Sequence, residues 1–166
     1  MSKLDNILGK IVTLDEAKKI VADWKKQGEK IVFTNGCFDI IHKGHVFYLA
    51  QARELGSKLI LGLNTDESIA KLKGPDRPVK ELESRALTIA SFEYIDLVIP
   101  FSEDTPLNLI STLLPDVLVK GSDYSIENIV GAKEVLANGG EVKTIDFVEG
   151  FSSTNYFKKI KTATNS

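Results

Sequence analysis

Residues 59–63 read Leu-Ile-Leu-Gly-Leu, with no polar side chain among them. A strand with one wet face would alternate apolar and polar residues. An unbroken run predicts a strand covered on both faces, as in a parallel sheet with helices on either side. The rest of the chain repeats this unit. Short apolar runs predict further strands at 30–33, 96–101, 117–119 and 141–147. Helical patterns fall between them at 44–55, 67–72, 83–92 and 126–136, and a last helix opens near 152. Strands alternate with helices, with no internal repeat and no linker. The pattern predicts a single doubly wound, Rossmann-like α/β domain with a five-stranded parallel sheet. We expect it to occupy residues 1–166, with an N-terminal helical segment at 11–28 and a core at 30–161.

Open α/β sheets bind ligands beyond the carboxyl ends of their strands, which makes the strand-end turns the first candidates. Residues 34–45 read Thr-Asn-Gly-Cys-Phe-Asp-Ile-Ile-His-Lys-Gly-His. Gly36 breaks the strand, and a helical pattern starts at Gly44, with Leu49, Ala52 and Leu55 on one face and Gly56 as its stop. Gly36 and Gly44 carry no Cβ, so a bulky ligand can approach the backbone. The free N–H groups of the helix's first turn favour an anion. His42 and His45 are three apart, just before and just inside the helix, and can face the same ligand. A neutral imidazole donates a hydrogen bond and a protonated one adds charge. Either suits oxygens that gain negative charge during phosphoryl or nucleotidyl transfer. These groups also have other uses. A His at a helix start serves as a cap. Two His with Cys37 and Asp39 upstream suggest zinc, but these are the only two His, and no second cluster completes a tetrahedral set. The stretch lacks both the glycine spacing of a dinucleotide fingerprint and the Lys-Ser/Thr of a P-loop.

Other strand ends add candidates. Asn64, Thr65 and Asp66 follow the second strand and suit a helix N-cap. Lys71, Lys73 and Arg77 lie in a stretch that Gly74, Pro75 and Pro78 make irregular. We expect a mobile cationic loop that closes over an anionic ligand and excludes water. Arg85, in the next helix, either pairs locally or points to the site. Thr105 is the expected N-cap of a helix with Pro106 at its first position, and Asp104 and Thr105 either cap or bound a pocket. Lys120, Gly121 and Asp123 end the fourth strand. Lys120 can neutralise phosphate, and Asp123 can accept from a ribose hydroxyl or hold a metal indirectly. Ser152, Ser153 and Thr154 open the last helix as caps or as phosphate donors. Nearer the N-terminus, residues 1–10 show little pattern and are expected to be loosely ordered. Thr13 to Glu16 form a capping box. The helix that follows buries Ala17, Ile20, Val21 and the packing anchor Trp24, and Gly28 closes it. The polar tail from residue 163 is expected to fray.

Composition narrows the function. A formal net charge of −2 gives no basic field, which argues against a nucleic-acid partner. No apolar run approaches membrane-spanning length, and the N-terminus has no signal-peptide pattern. One cysteine excludes an internal disulfide framework, and a reducing cytoplasm is expected.

Asn35-Gly36-Cys37-Phe38-Asp39 followed by His42-Lys43-Gly44-His45 resembles the HxGH nucleotidyltransferase superfamily, in its cytidylyltransferase-like branch. Residues 72–78 (Leu-Lys-Gly-x-x-Arg-Pro) and 119–124 (Val-Lys-Gly-x-Asp-Tyr) resemble the members that adenylylate D-glycero-β-D-manno-heptose 1-phosphate. Ser122 departs from the pattern where Gly is common. The resemblance covers about residues 11–161. It implies that ATP and the heptose 1-phosphate give ADP-heptose and pyrophosphate by direct in-line attack. Cys37 would then be no nucleophile. It implies catalytic roles for His42, His45 and Lys73. It implies nucleotide contacts from Asn35, Gly36, Cys37, Phe38, Asp39, Gly44, Lys120, Gly121, Asp123, Ser152, Ser153 and Thr154. Substrate contacts would come from Asn64, Lys71, Arg77 and Arg85. Mg²⁺ is expected with ATP, held by phosphate and water with no protein metal site. A homodimer is implied, as is a separate sugar kinase, since the kinase often fused to this activity is not among these residues. Two alternatives stay open: a cytidylyltransferase for glycerol 3-phosphate or another polyol phosphate, and a non-catalytic nucleotide-binding module on the same fold.

Overall fold

The computed structural model describes residues 1–165. The strands are β1 (Ile31–Gly36), β2 (Lys58–Asn64), β3 (Leu97–Phe101), β4 (Val117–Gly121) and β5 (Glu141–Ile145). They form one sheet in the order β3-β2-β1-β4-β5, with every neighbouring pair parallel. The chain moves outward from β1 through β2 to β3, then returns to the other side for β4 and β5. The winding therefore reverses between β1 and β4, where an open sheet leaves a crevice at its carboxyl edge.

Helices cover both faces. α1 (Lys3–Leu8) and α2 (Leu14–Lys26) precede β1, and α3 (Lys43–Glu54) joins β1 to β2. α4 (Asp66–Lys73) and α5 (Leu82–Ala90) lead to β3, and α6 (Leu107–Leu113) leads to β4. α7 (Ala132–Ala137) leads to β5, and α8 (Ser153–Thr164) closes the described chain. The period of two along each strand divides the core. Phe33, Ile60, Ile99 and Leu118 face α2, α6 and α7, packing with Val21, Leu109 and Val135. Val32, Leu61, Val98 and Val117 face the other way, packing with Leu49, Ala52 and Ile89. Each such side chain contributes roughly 1.5–3 kcal/mol on leaving water.

Several boundaries differ from the sequence reading. β1 continues through Gly36 because Thr34, Asn35 and Gly36 pair with Leu61, Gly62 and Leu63. β5 stops at Ile145. Residues 3–8 form α1, with Ser2 and Asp5 as a reciprocal capping box and Ile7 packed against the core. The helix expected at 126–136 divides into a 3₁₀ turn, Ile126–Asn128, and α7. Gly131 separates them at φ 85°, and a Cβ there would lie 2.6 Å from Ile110. α6 begins at Leu107 with no side-chain cap, one residue later than the Thr105 cap implied. α4 runs through Lys73, so the irregular loop starts only at Gly74. The helical pattern at the C-terminus persists to Thr164.

Gly56 makes the connection from α3 to β2 possible. A Cβ there would lie 2.5 Å from the Lys30 carbonyl oxygen and 2.7 Å from Val32 Cγ2. That carbonyl already accepts from Ser57 N at 2.8 Å and Lys58 N at 3.1 Å, so it cannot retreat cheaply. Gly56→Ala is expected to destabilise the fold by about 1–3 kcal/mol, measured by urea denaturation.

Candidate active site

The turn after β1 carries the two imidazoles. His42 is the N-cap of α3, with extended backbone angles, and its Nδ1 accepts from Gly44 N at 3.0 Å. His45 Nδ1 accepts from His42 N at 3.3 Å. The rings stack with centroids 3.9 Å apart. Since both Nδ1 atoms accept, the proton of each neutral ring sits on Nε2. Burial pushes His45 down to about 4, helped by the nearby charges of His42 and Lys73. Burial also lowers His42. At neutral pH the site therefore presents two Nε2–H donors and no imidazolium. Gly44 allows this arrangement, because a Cβ there would meet His42 Cε1 at 2.9 Å.

The depressed His45 value links protonation to stability. The folded value lies below the ordinary 6.5. The unfolded chain thus binds the proton more readily. The contribution is complete above about pH 6.5 and is lost as pH falls toward 4, amounting to on the order of 2–3 kcal/mol. Urea denaturation at pH 7 and pH 4.5 should show this loss, and His45→Gln should reduce the difference.

Phe38 closes the turn at φ 46°, a left-handed conformation that bulky residues avoid. Its ring lies over Gly36, where a Cβ would come within 2.7 Å of it, and 5.1 Å from the His45 ring. Asp39 beside it is 1% exposed. Burial alone would push its carboxyl up, but three donors outweigh burial and hold it below the usual carboxylate range. They are Val79 N at 2.8 Å, Lys80 N at 2.9 Å and Arg77 Nε at 2.9 Å.

The structure revises the expected roles of two arginines. Arg77 is no free cation on a loop. It is 5% exposed, paired with Asp39, and its guanidinium lies 4.9 Å from the Phe157 ring centre. Arg85 is 1% exposed, and it donates to the carbonyls of Lys80, Cys37 and Asn64 and to the Asp66 carboxylate. The loop expected to be mobile is thereby pinned at 77–80, and Lys161 on α8 reaches Asp76 at 3.0 Å. Lys71 is exposed and pairs with Glu67. Lys73 is exposed, has no ion pair among the described residues, and lies close enough to His45 and Cys37 to influence both.

The remaining candidates occupy neighbouring positions. Burial raises the Cys37 thiol, which keeps it protonated and a poor nucleophile. Asn64 is buried and donates to Ser68 Oγ at 2.7 Å. Asn35 lies on the β1 face toward Gly62, and its buried Oδ1 has no partner among the described residues. Burial lowers Lys120 to about 8 against the opposing pull of Asp123, and its ammonium sits 5.5 Å from the Tyr124 ring. The Phe147 ring rests on Gly121, leaving no room for a side chain there. Ser152 caps α8 by accepting from Asn155 N at 3.0 Å. Ser153 Oγ donates to the Ile40 carbonyl at 2.8 Å and so fastens α8 to the His-bearing turn. Thr154 is exposed in the first turn of α8.

Sequence reasoning missed three aromatic supports. Phe151 and Tyr156 flank the His42 ring at 6.2 Å and 5.7 Å. Tyr48 is buried, and its hydroxyl meets Thr34 Oγ1 at 2.8 Å and the Val119 carbonyl at 3.3 Å, tying α3 to β1 and β4. No short pattern signals the first two, since their partner lies more than a hundred residues upstream. Among the described residues no cluster of three His, Cys, Asp or Glu could hold a metal, and no helix is long and apolar enough to cross a membrane.

A family model described as Cytidylyltransferase-like matches residues 33–159. The bifunctional protein HldE of Actinobacillus pleuropneumoniae is 54% identical over 151 residues, covering 91% of this chain and 32% of that protein. The HldE of Haemophilus influenzae strain PittGG is 52% identical with the same coverage. The chain thus spans about a third of the length of these curated relatives. The lipopolysaccharide core biosynthesis protein from Thermoplasma volcanium superposes with a TM-score of 0.58 at 27% identity, over 73% of this chain and 98% of that one. Pantothenate synthetase from Thermus thermophilus gives 0.60 at 18% identity, over 89% and 67%, a likeness of fold alone.

Proposed function

This chain belongs to the cytidylyltransferase-like family and is a nucleotidyltransferase, and from that premise we propose that it transfers AMP from ATP to D-glycero-β-D-manno-heptose 1-phosphate, giving ADP-heptose and pyrophosphate. The observation that carries the proposal is the stacked imidazole pair, neutral and Nε2-protonated, at the start of α3. A phosphate oxygen of the sugar attacks the α-phosphorus in line. The new P–O bond forms as the bond to the β-phosphate breaks, and pyrophosphate leaves with the electron pair. The enzyme aligns the reactants and stabilises charge. The two Nε2–H groups meet the oxygens where charge builds. Lys73 and Lys120 hold the anionic ends, and the hydroxyls of Ser152 and Thr154 complete the cradle, while Ser153 is committed to the Ile40 carbonyl. Mg²⁺ would arrive with the triphosphate, held by phosphate and water, and would neutralise part of its charge.

The heptose assignment is supported by the Leu72–Pro78 and Val119–Tyr124 blocks and by the high identity to HldE. The reaction needs a sugar 1-phosphate, so a phosphorylating enzyme must supply it. We propose a cytoplasmic setting and a homodimer as part of the same reading. The second reading is a cytidylyltransferase for glycerol 3-phosphate or another polyol phosphate, of which the family description names only the cytidylyl transfer. Pyrophosphate release, measured with ATP and CTP against the heptose and glycerol phosphates, separates the readings. Release with ATP and the heptose 1-phosphate is expected. Release only with CTP and the glycerol phosphate would replace the proposal, and release with no pair would favour a non-catalytic binding module.

A further inference from the structure

We propose that Arg85 is a positioning residue that turns the Cys37–Phe38 peptide so that its N–H faces the nucleotide phosphates. The proposal rests on the nucleotidyltransferase reading of the site. Arg85 Nη1 is 2.9 Å from the Cys37 carbonyl and 2.7 Å from the Asn64 carbonyl. Its Nε donates to the Lys80 carbonyl at 2.9 Å, and its Nη2 donates to Asp66 at 2.6 Å. One buried guanidinium thus joins the turn after β1, the end of β2 and the loop before α5. Its planar fork fixes the direction of each carbonyl, which a lysine ammonium cannot do.

The direction matters because the 37–38 peptide is trans, the Arg77–Pro78 bond being the one cis bond among the described residues. A trans peptide points its C=O and N–H to opposite sides. With the Cys37 oxygen drawn toward Arg85, the Phe38 N–H points to the side opposite Arg85. Among the described residues this N–H donates to no group of the chain. The positive φ of Phe38 follows from the same orientation, and a bulky residue keeps it only where its surroundings impose it. Arg85 imposes it from one side, and the ring's seat over Gly36 and against His45 imposes it from the other. The result is a third fixed donor beside the two imidazoles. Three nitrogens of the Arg85 guanidinium are all engaged with the chain, so the residue acts through the turn and not on the ligand.

Arg85→Lys keeps the buried charge and removes the fork. In the full chain it is expected to lower turnover by about 10²-fold, as loss of an aimed donor does. The KM for the sugar phosphate should stay within about twofold, because that contact is untouched. Calorimetric titration with ATP should show weaker binding. The amide resonance of Phe38, displaced by pyrophosphate in the wild type, should no longer move in the variant while the rest of the spectrum stays native. Asp66→Asn removes the charge of the one side-chain partner of Arg85 but keeps an acceptor oxygen for Nη2, and should remain near wild type. Unchanged turnover and unchanged ATP binding in Arg85→Lys would overturn the inference alone. A wild-type chain that binds neither ATP nor pyrophosphate would overturn it together with the nucleotidyltransferase reading. Should Arg85→Lys not fold, the wild-type titration decides, and a Phe38 amide unmoved by pyrophosphate overturns the proposal.

Discussion

Replacing His45 by alanine is expected to lower turnover by about 10²-fold or more with the fold intact, because a preorganised donor aimed at developing charge is lost. The ring contributes through Nε2–H, since Nδ1 is committed to the His42 amide and burial keeps the imidazole neutral. The rings packed on it do not replace it: the Phe38 ring on one side carries no donor, and His42 on the other is already stacked against it. His42→Ala should fall by a similar factor, with a further stability cost of about 1 kcal/mol because the cap of α3 is also lost. Pyrophosphate release under saturating ATP provides the measurement, with circular dichroism to confirm the fold. Near-normal turnover in both variants would remove the imidazoles from the mechanism.

The second large effect concerns stability. Asp39→Ala should destabilise the protein by about 3–5 kcal/mol, because it leaves a buried guanidinium without its counter-charge. The side chains of the pair are 4% and 0% exposed, so water cannot take the place of the carboxylate. The amides of Val79 and Lys80 lose their acceptor at the same time. Asp39→Asn preserves the shape and one acceptor oxygen and should cost less. Urea denaturation at pH 7 distinguishes the cases. A loss of under about 1 kcal/mol for the alanine variant, the scale of an exposed pair, would mean that Arg77 finds another partner.

The two arginines also mark where the sequence stopped being readable. The apolar runs pointed to the strands, and the glycine breaks to the turns, because both signals are local. Thr13 and Glu16 were legible as a capping box for the same reason, and the structure has it. α1 is six residues long, too short for a periodicity to emerge. The break at Gly131 depends on Ile110, which belongs to a different helix. The family resemblance implied substrate contacts for Arg77 and Arg85, and the residues alone left the pairing of Arg85 open, because a cation has no visible partner in one dimension. Their partners lie 38 residues away at Asp39, and 48 and 21 residues away at Cys37 and Asn64. Charge type and strand-end position could be read. Which charges face inward could not, since that depends on segments meeting only after the sheet is wound.

α8 contributes no fully buried side chain, yet Tyr156 within it and Phe151 just before it shelter His42 from water. A segment so lightly anchored is among the first to lift away from a folded chain. Each such departure would hydrate His42 and move its basicity back toward the ordinary value, raising the share of rings that carry a second proton. The chemical character of this pocket is thus tied to how firmly α8 is held, and anything that fastens that helix would favour the uncharged form of the ring.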